Sequence, residues 1–297
     1  MDNENLSYDS LKKKMNKKLL RFIKKFYLNF KNLKPTINEC IKELFLRFNL
    51  ILNKLNKNQK KLINDFLKKI KIIDSGYKLI RIGGNNDGGY LIPNILDQIE
   101  FCFSPGVGST SSFEDHLLNF NIKSYLADGT VDYNGKHDFI KKNLSSFNDE
   151  NNITLESWVN EKIKNQSNNN LLLQMDIEGS EIETLYKINI ATLDRFKCIV
   201  IEFHNFLSIL NFFGLKIYSD IFNKILKTHY IVHIHPNNNC YNLKIIKNNI
   251  PDTLEITFIN KKIVKYVQGI NFNLPHSLDQ KNVPNLRDIK CPEIFYK

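Results

Sequence analysis

From Ile80 to the C-terminus, short apolar runs alternate with helix-like stretches, and nearly every run ends in polar or acidic residues. That alternation constrains the fold more than any other feature. The candidate strands are 100–104, 122–127, 171–176, 198–203, 230–235 and 253–259. Strands alternating with helices form βαβ units on a parallel sheet. Such a sheet takes its ligands outside the carboxyl ends of its strands. The chain is therefore expected to be α/β, and the residues that close each run are the ones to weigh for chemistry.

The first of these is Phe103-Ser104-Pro105-Gly106-Val107-Gly108-Ser109-Thr110, between an apolar run and a helix-like stretch from Ser112. Gly106 and Gly108 let the backbone turn tightly and approach a ligand. Ser104, Pro105, Gly106 and Gly108 thus form a candidate cofactor loop. No GKS or GKT follows, and Ser111 breaks a full GxGxxG, so the loop is neither a P-loop nor a complete dinucleotide fingerprint. Asp128 closes the next run about 20 residues on, where an acid can accept from ribose hydroxyls. Asp128 and Gly129 are the expected contacts there.

The run Leu171-Leu172-Leu173-Gln174-Met175 ends in Asp176, Glu178 and Glu181. Carboxylates at a strand mouth are costly unless they bind something or stay solvated. Asp176 is placed to face a cofactor's charged centre or the substrate. Glu178 and Glu181 either join it or cap the following helix, where acids suit the dipole. Ile199-Val200-Ile201 leads into Glu202 and His204, which share one side of a strand. That pair can orient an imidazole as a general base. With Asp176, the two can instead ligate a divalent metal. His233 and His235 share a face of a later run, and Asn237 and Asn238 follow it. Amide side chains suit sugar hydroxyls because each both donates and accepts.

The first 73 residues differ in kind. They hold 19 Lys and Arg against 6 Asp and Glu, so they carry +13 of a net +11 and leave −2 for the rest. Apolar residues recur there at helical spacing, with Pro35 between two runs and a third run at Leu62, Phe66, Leu67 and Ile70. The chain is thus divided into a basic amphipathic helical segment, 1–73, and a folded domain, 74–297. Basic amphipathic helices pack on each other or an oligomer partner, or attach to an anionic membrane surface; nucleic acid is the weaker expectation. The five cysteines are scattered and form no CxxC, so neither a disulfide framework nor a zinc site follows. The expected location is the cytoplasm, or the inner face of its membrane if the basic helices attach there.

Taken together, these motifs resemble the FkbM-type methyltransferases, particularly the bacterial branch associated with surface-glycan gene clusters. Met175-Asp176-Ile177-Glu178-Gly179-Ser180-Glu181 is similar to the family's IDVEGAE-type motif, and Ile201-Glu202-Phe203-His204 to the strand after it. Arg81-Ile82-Gly83 with Asp87-Gly88-Gly89-Tyr90-Leu91 resembles the opening segment of that branch. His233-Ile234-His235 with Asn237-Asn238, then Leu254-Glu255-Ile256-Thr257-Phe258, resembles its closing segment. The resemblance spans about 74–297. It implies a class I methyltransferase fold, a mostly parallel Rossmann-like sheet with an antiparallel last strand. It also implies S-adenosylmethionine (SAM) on Gly106, Gly108 and Asp128, and O-methylation of a sugar, nucleotide sugar or surface glycan. The family's DxGAxxG-like loop is replaced here by Ser104-Pro105-Gly106-Val107-Gly108, without its leading acid.

On that basis His204 or His235 is the expected base, with Glu202 or Asp176 orienting it. A metal on Asp176, Glu202 and His204 is the alternative. Asp87, Tyr90, Glu178, Asn237 and Asn238 are the expected substrate contacts. Three rivals share parts of the pattern: an NAD-type oxidoreductase, a nucleic-acid methyltransferase and a catalytically inactive methyltransferase-like binding protein. The absence of an (N/D)PPY motif and the near-neutral C-terminal part weigh against the second.

Overall fold

The computed structural model describes residues 55–108, 110–165, 168–240, 242–245 and 248–297. The first two amphipathic runs, and any membrane or oligomer contact they make, lie outside the described residues. Asn56–Lys297 forms one compact unit, which begins earlier than the boundary read from charge. Its first helix, α1 (Lys57–Leu67), opens on a capping box in which Asn56 and Gln59 exchange side-chain-to-backbone hydrogen bonds of 2.9 and 3.0 Å. Ile63, Phe66 and Leu67, on its inner face, are buried, so the third basic run belongs to the domain core.

A hairpin of β1 (Leu79–Ile82) and β2 (Tyr90–Pro93) follows. The central sheet contains β3 (Phe101–Pro105), β4 (Lys123–Ala127), β5 (Asp138–Ile140), β8 (Leu171–Met175), β9 (Phe196–Phe203), β10 (His229–Pro236) and β13 (Leu254–Asn260). Two small pairs lie outside it: β6 (Asn143–Leu144) with β7 (Asn152–Ile153), and β11 (Asn242–Ile245) with β12 (Asn248–Pro251). The helices between strands are α2 (Ser112–Leu118), α3 (Leu155–Lys162), α4 (Glu181–Lys187), α5 (Ile190–Asp194) and α6 (Phe212–Thr228).

Across the sheet the order is β5-β4-β3-β8-β9-β13-β10. β5, β4, β3, β8 and β9 pair in parallel, and β13 runs antiparallel to both its neighbours. Numbered along the chain, the seven strands lie 3-2-1-4-5-7-6, with the antiparallel last strand inserted beside the fifth. The chain order reverses between β3 and β8, the switch point where open α/β sheets bind ligands.

The central strands are mostly apolar and buried, as strands inside an α/β sheet are. All five residues of β8 are buried. On one face α6 presents Tyr218, Ile221, Phe222 and Ile225 at helical spacing. Phe222 meets Phe66 of α1 edge-on with centroids 5.6 Å apart, and Phe203 of β9 at 5.2 Å. Cys102 and Cys198 are buried core residues, as their apolar runs predict. No helix among the described residues is long and apolar enough to cross a membrane.

Candidate functional site

A pocket of about 670 Å³ opens at the carboxyl ends of β3, β4 and β8. Its walls include the Gly106–Gly108 turn, Asp128 and Gly129, Asp176 to Glu178, and Asp87 and Tyr90 from the β1–β2 hairpin. Five carboxylates line it, those of Asp87, Glu114, Asp128, Asp176 and Glu178, and among the described residues no Lys, Arg or His does.

The two glycines of the loop have different duties. Gly106 has φ +86°, and a Cβ there would stand 1.5 Å from the Asp176 carbonyl oxygen. Its bare backbone is what lets β8 approach β3, with Asp176 N–H donating to Pro105 O at 3.3 Å. Gly108 has φ +59°, and a Cβ there would meet nothing within 4 Å, so it borders open pocket. Gly108 N–H donates to Asp128 Oδ2 at 3.1 Å, and the Thr130 N–H and hydroxyl donate to Oδ1 at 2.7 and 2.6 Å. Burial opposes ionisation of Asp128, but these donors outweigh it and hold the carboxyl below its ordinary range. The loop and its acid, 20 residues apart, are thus joined directly.

Ser104 and Pro105 stand behind the pocket rather than in its wall. Ser104 is fully buried, and its hydroxyl touches both Glu114 and Gln174. One hydroxyl donates once, so one of its partners must itself donate. A turned Gln174 amide or a protonated Glu114 can fill that role, and burial raises the Glu114 carboxyl. Ser104 thus belongs to a buried polar knot that ties α2 to β3 and β8.

Behind Asp176 and Glu178 of the pocket wall lies an acid–His cluster, whose Glu181, Glu202 and His204 are not themselves in the wall. His204 Nδ1–H donates to Glu181 Oε1 at 3.0 Å. Glu181 is fully buried at the start of α4, and the same oxygen accepts from Ile177 and Gly179 N–H at 3.1 and 3.2 Å. Glu181, which the sequence offers as a helix cap or as a companion of Asp176, is thus the residue that orients His204; Glu202 is not. Three other carboxylates converge on His204 Nε2 without reaching hydrogen-bond distance: Glu178 at 3.5 Å, Glu202 at 3.8 Å and Asp176 at 3.9 Å. Burial works against charge on the imidazole, but the surrounding acids raise it to about 9. Burial and the neighbouring acids Glu178, Glu181 and Asp87 raise Asp176 to about 7, against the pull of His204. Burial, then Asp176 and Glu255, push Glu202 up as well.

Two residues beside this cluster, Glu178 and Asn205, adopt left-handed backbone conformations with φ +53° and +55°. Such conformations cost about 1–3 kcal/mol each away from glycine and concentrate at functional sites. Asp176, Glu178 and His204 each offer a ligand atom, and these atoms lie within 4.8 Å of one another. Glu178 thereby takes the place expected of Glu202, whose Oε1 is engaged by Asn237 Nδ2–H at 2.7 Å.

His235, Asn237 and Asn238 are not in the pocket wall. His235 donates from Nδ1 to Glu255 Oε2 at 2.9 Å across the β10–β13 pair. Burial opposes its charge, yet Glu255 raises it to about 9, which makes it a buried counter-ion. Asn238 clips the C-terminal segment: its Nδ2–H donates to Val283 O and its Oδ1 accepts from Val283 N–H, at 2.9 and 2.8 Å. That segment supplies Asn282, whose amide donates to Asp87 and Glu255 at 3.1 and 2.6 Å, and Asp279, which accepts from His233 Nε2–H at 2.8 Å. Neither residue carries a sequence signal, because the segment has no periodicity. Asp87 and Tyr90 do reach the pocket, and Tyr90 OH lies 3.5 Å from Asp176 Oδ2. Arg81 holds their loop, donating to Gly84 O and Asn86 O at 2.8 Å each.

A scan against protein-family models finds none that matches the chain, and a search of curated proteins finds no significant match.

Proposed function

We propose that this chain is a SAM-dependent O-methyltransferase whose acceptor is a hydroxyl of a sugar, nucleotide sugar or glycan. The observation that carries the reading is the pocket lining: a Gly loop at the switch point, joined to Asp128, in a wall with five carboxylates and, among the described residues, no Lys or Arg. SAM presents a sulfonium and an ammonium, both cations, and an acidic wall suits them. The same wall disfavours a pyrophosphate, which the NAD-type reading requires next to the loop, and a nucleic-acid backbone. The strand order 3-2-1-4-5-7-6, with its inserted antiparallel strand, supports a class I methyltransferase over the six-strand dinucleotide fold, whose order is 3-2-1-4-5-6. The resemblance to FkbM-type enzymes points the same way.

The residues present fit the cofactor. Gly108 leaves the backbone open to it, and Asp128 lines the pocket beside that loop, where an acid can meet a ribose. Bound SAM supplies an electrophilic methyl group. The protein's own work is positioning and proton removal. Asp87 and Tyr90 reach the wall from the hairpin and hold the acceptor side. Asp176, at the end of β8, sits between loop and floor, where the acceptor hydroxyl must lose its proton. His204 stands behind it, fixed by Glu181.

Labelled-methyl transfer to a panel of saccharides and nucleotide sugars, combined with SAM and NAD calorimetry, tests this. Binding of SAM with transfer that is lost in Asp176→Ala is expected. Binding of NAD and not SAM refutes the reading.

A further inference from the structure

We propose that Asp176, Glu178 and His204 bind a divalent cation of the Mn²⁺ and Mg²⁺ class at the floor of the pocket. Asp176 and Glu178 form part of the pocket wall, so the position is reachable from solvent. Their oxygens and His204 Nε2 lie within 4.8 Å of one another. Octahedral coordination at about 2.1 Å places ligand atoms roughly 3–4 Å apart. The set closes onto a cation by a modest inward swing of Glu178, whose side chain is 87% exposed.

An independent observation points to a ligand at this place. Glu202 is 2% exposed, its Oε1 lies 3.8 Å from the same imidazole nitrogen, and its Oε2 is buried with no hydrogen-bond partner among the described residues. Asp176 Oδ1 is likewise buried and unpartnered. Buried carboxylate oxygens left this way are costly. One imidazole, with Nδ1 already given to Glu181, cannot satisfy three more carboxylates through a single remaining nitrogen. Among the described residues no Lys or Arg lines the pocket to do so. A cation held by Asp176, Glu178 and His204 gives Asp176 Oδ1 a partner and places a positive charge beside Glu202. Two carboxylates and one imidazole, without a thiolate, suit Mn²⁺ or Mg²⁺ better than softer metals. The role of the cation rests on the methyl-transfer reading: its open positions hold the acceptor oxygen and favour its ionisation.

Titrating Mn²⁺ into the full chain without methyl donor, followed by electron paramagnetic resonance, reads the site directly. We expect one bound Mn²⁺ per chain, displaced by excess Mg²⁺. Glu178→Gln, a substitution outside the core, weakens binding about tenfold or more with an unchanged melting temperature. Asp176→Asn weakens it further, and Glu161→Gln, exposed on α3, leaves it as in the parent. Absence of bound Mn²⁺ in the folded chain, or parental affinity in both Glu178→Gln and Asp176→Asn, overturns the proposal. SAM calorimetry on the same preparation separates the two readings. Mn²⁺ binding without SAM binding leaves the cation site standing and removes methyl transfer; SAM binding without Mn²⁺ does the reverse.

Discussion

Alanine at Gly106 and alanine at Gly108 are the same substitution two residues apart, and the structure separates their consequences. Both glycines have positive φ, so each alanine carries a backbone cost of about 1–2 kcal/mol. At Gly108 that is the whole effect on folding, because the new methyl meets nothing within 4 Å. At Gly106 the methyl would lie 1.5 Å from the Asp176 carbonyl oxygen and 2.5 Å from its carbon. The end of β8 must then retreat by roughly 1.5 Å to reach even a tight contact of about 3 Å. That retreat breaks the Asp176 N–H to Pro105 O bond and leaves buried groups unpaired, at about 1–3 kcal/mol more. The sum for Gly106→Ala is about 2–5 kcal/mol. For a domain of this size each kcal/mol moves the melting temperature by about 2–4 °C, so Gly106→Ala falls by roughly 4–20 °C and Gly108→Ala by roughly 2–8 °C. Their effects on the pocket differ in kind. Gly108→Ala places its methyl in open pocket and weakens SAM while the fold stands; Gly106→Ala displaces Asp176 and loses stability and transfer together. Thermal melts and SAM calorimetry on both variants read this. A Gly106→Ala protein as stable as Gly108→Ala, with transfer intact, would refute the assignment of Gly106 to strand approach.

Three further expectations follow. His229 is buried with Nε2–H donating to Phe196 O at 2.9 Å and Nδ1 facing the Thr228 hydroxyl at 2.8 Å; burial lowers it from 6.5 to about 4. Because the unfolded chain binds this proton first, stability is complete above about pH 6.5 and falls as pH drops toward 4, by about 3 kcal/mol in all; urea unfolding from pH 7 to 4 should show that decline, reduced in His229→Gln. Asp128→Ala removes the acceptor that joins the loop to β4, and loss of charged hydrogen bonds worth about 1.5–3 kcal/mol predicts SAM affinity ten- to a hundredfold weaker by calorimetry. Lys224 donates to the Leu185, Tyr186 and Ile188 carbonyls at the end of α4, at 3.0, 2.6 and 2.9 Å; Lys224→Met should cost about 1–2 kcal/mol in urea unfolding and leave SAM affinity unchanged.

Why some of this was legible in the sequence and some was not follows from what each signal physically reports. A buried parallel strand is apolar on both faces, so β8 and β9 announce themselves as continuous runs, and their polar ends fall at the pocket floor because the sheet geometry puts them there. Asp176, Glu178 and His204 were therefore within reach, as was Asp128, whose distance from the loop reflects one βα unit. Strand order is different. Nothing local distinguishes β13 as the strand that slips between β9 and β10; that choice is made by cross-strand packing, where Glu255 lands opposite Glu202 on one side and His235 on the other. This placement also changes the meaning of His235. At the end of an apolar run it looks free to act as a base, but a carboxylate that arrives from a later strand claims it. Spacing likewise pairs Glu202 with His204, since residues two apart on an extended strand share a side, but β9 ends at Phe203. The imidazole nevertheless turns to Glu181, because the tight turn through Glu178 and Gly179 delivers that acid to Nδ1 from another strand. Local spacing reveals which residues arrive at a site. Which of them hold one another, and which are left with an unpartnered oxygen facing a ligand, is decided by elements distant in the chain. The unpartnered oxygens of Asp176 and Glu202 belong to that second class, and the cation site is read from them.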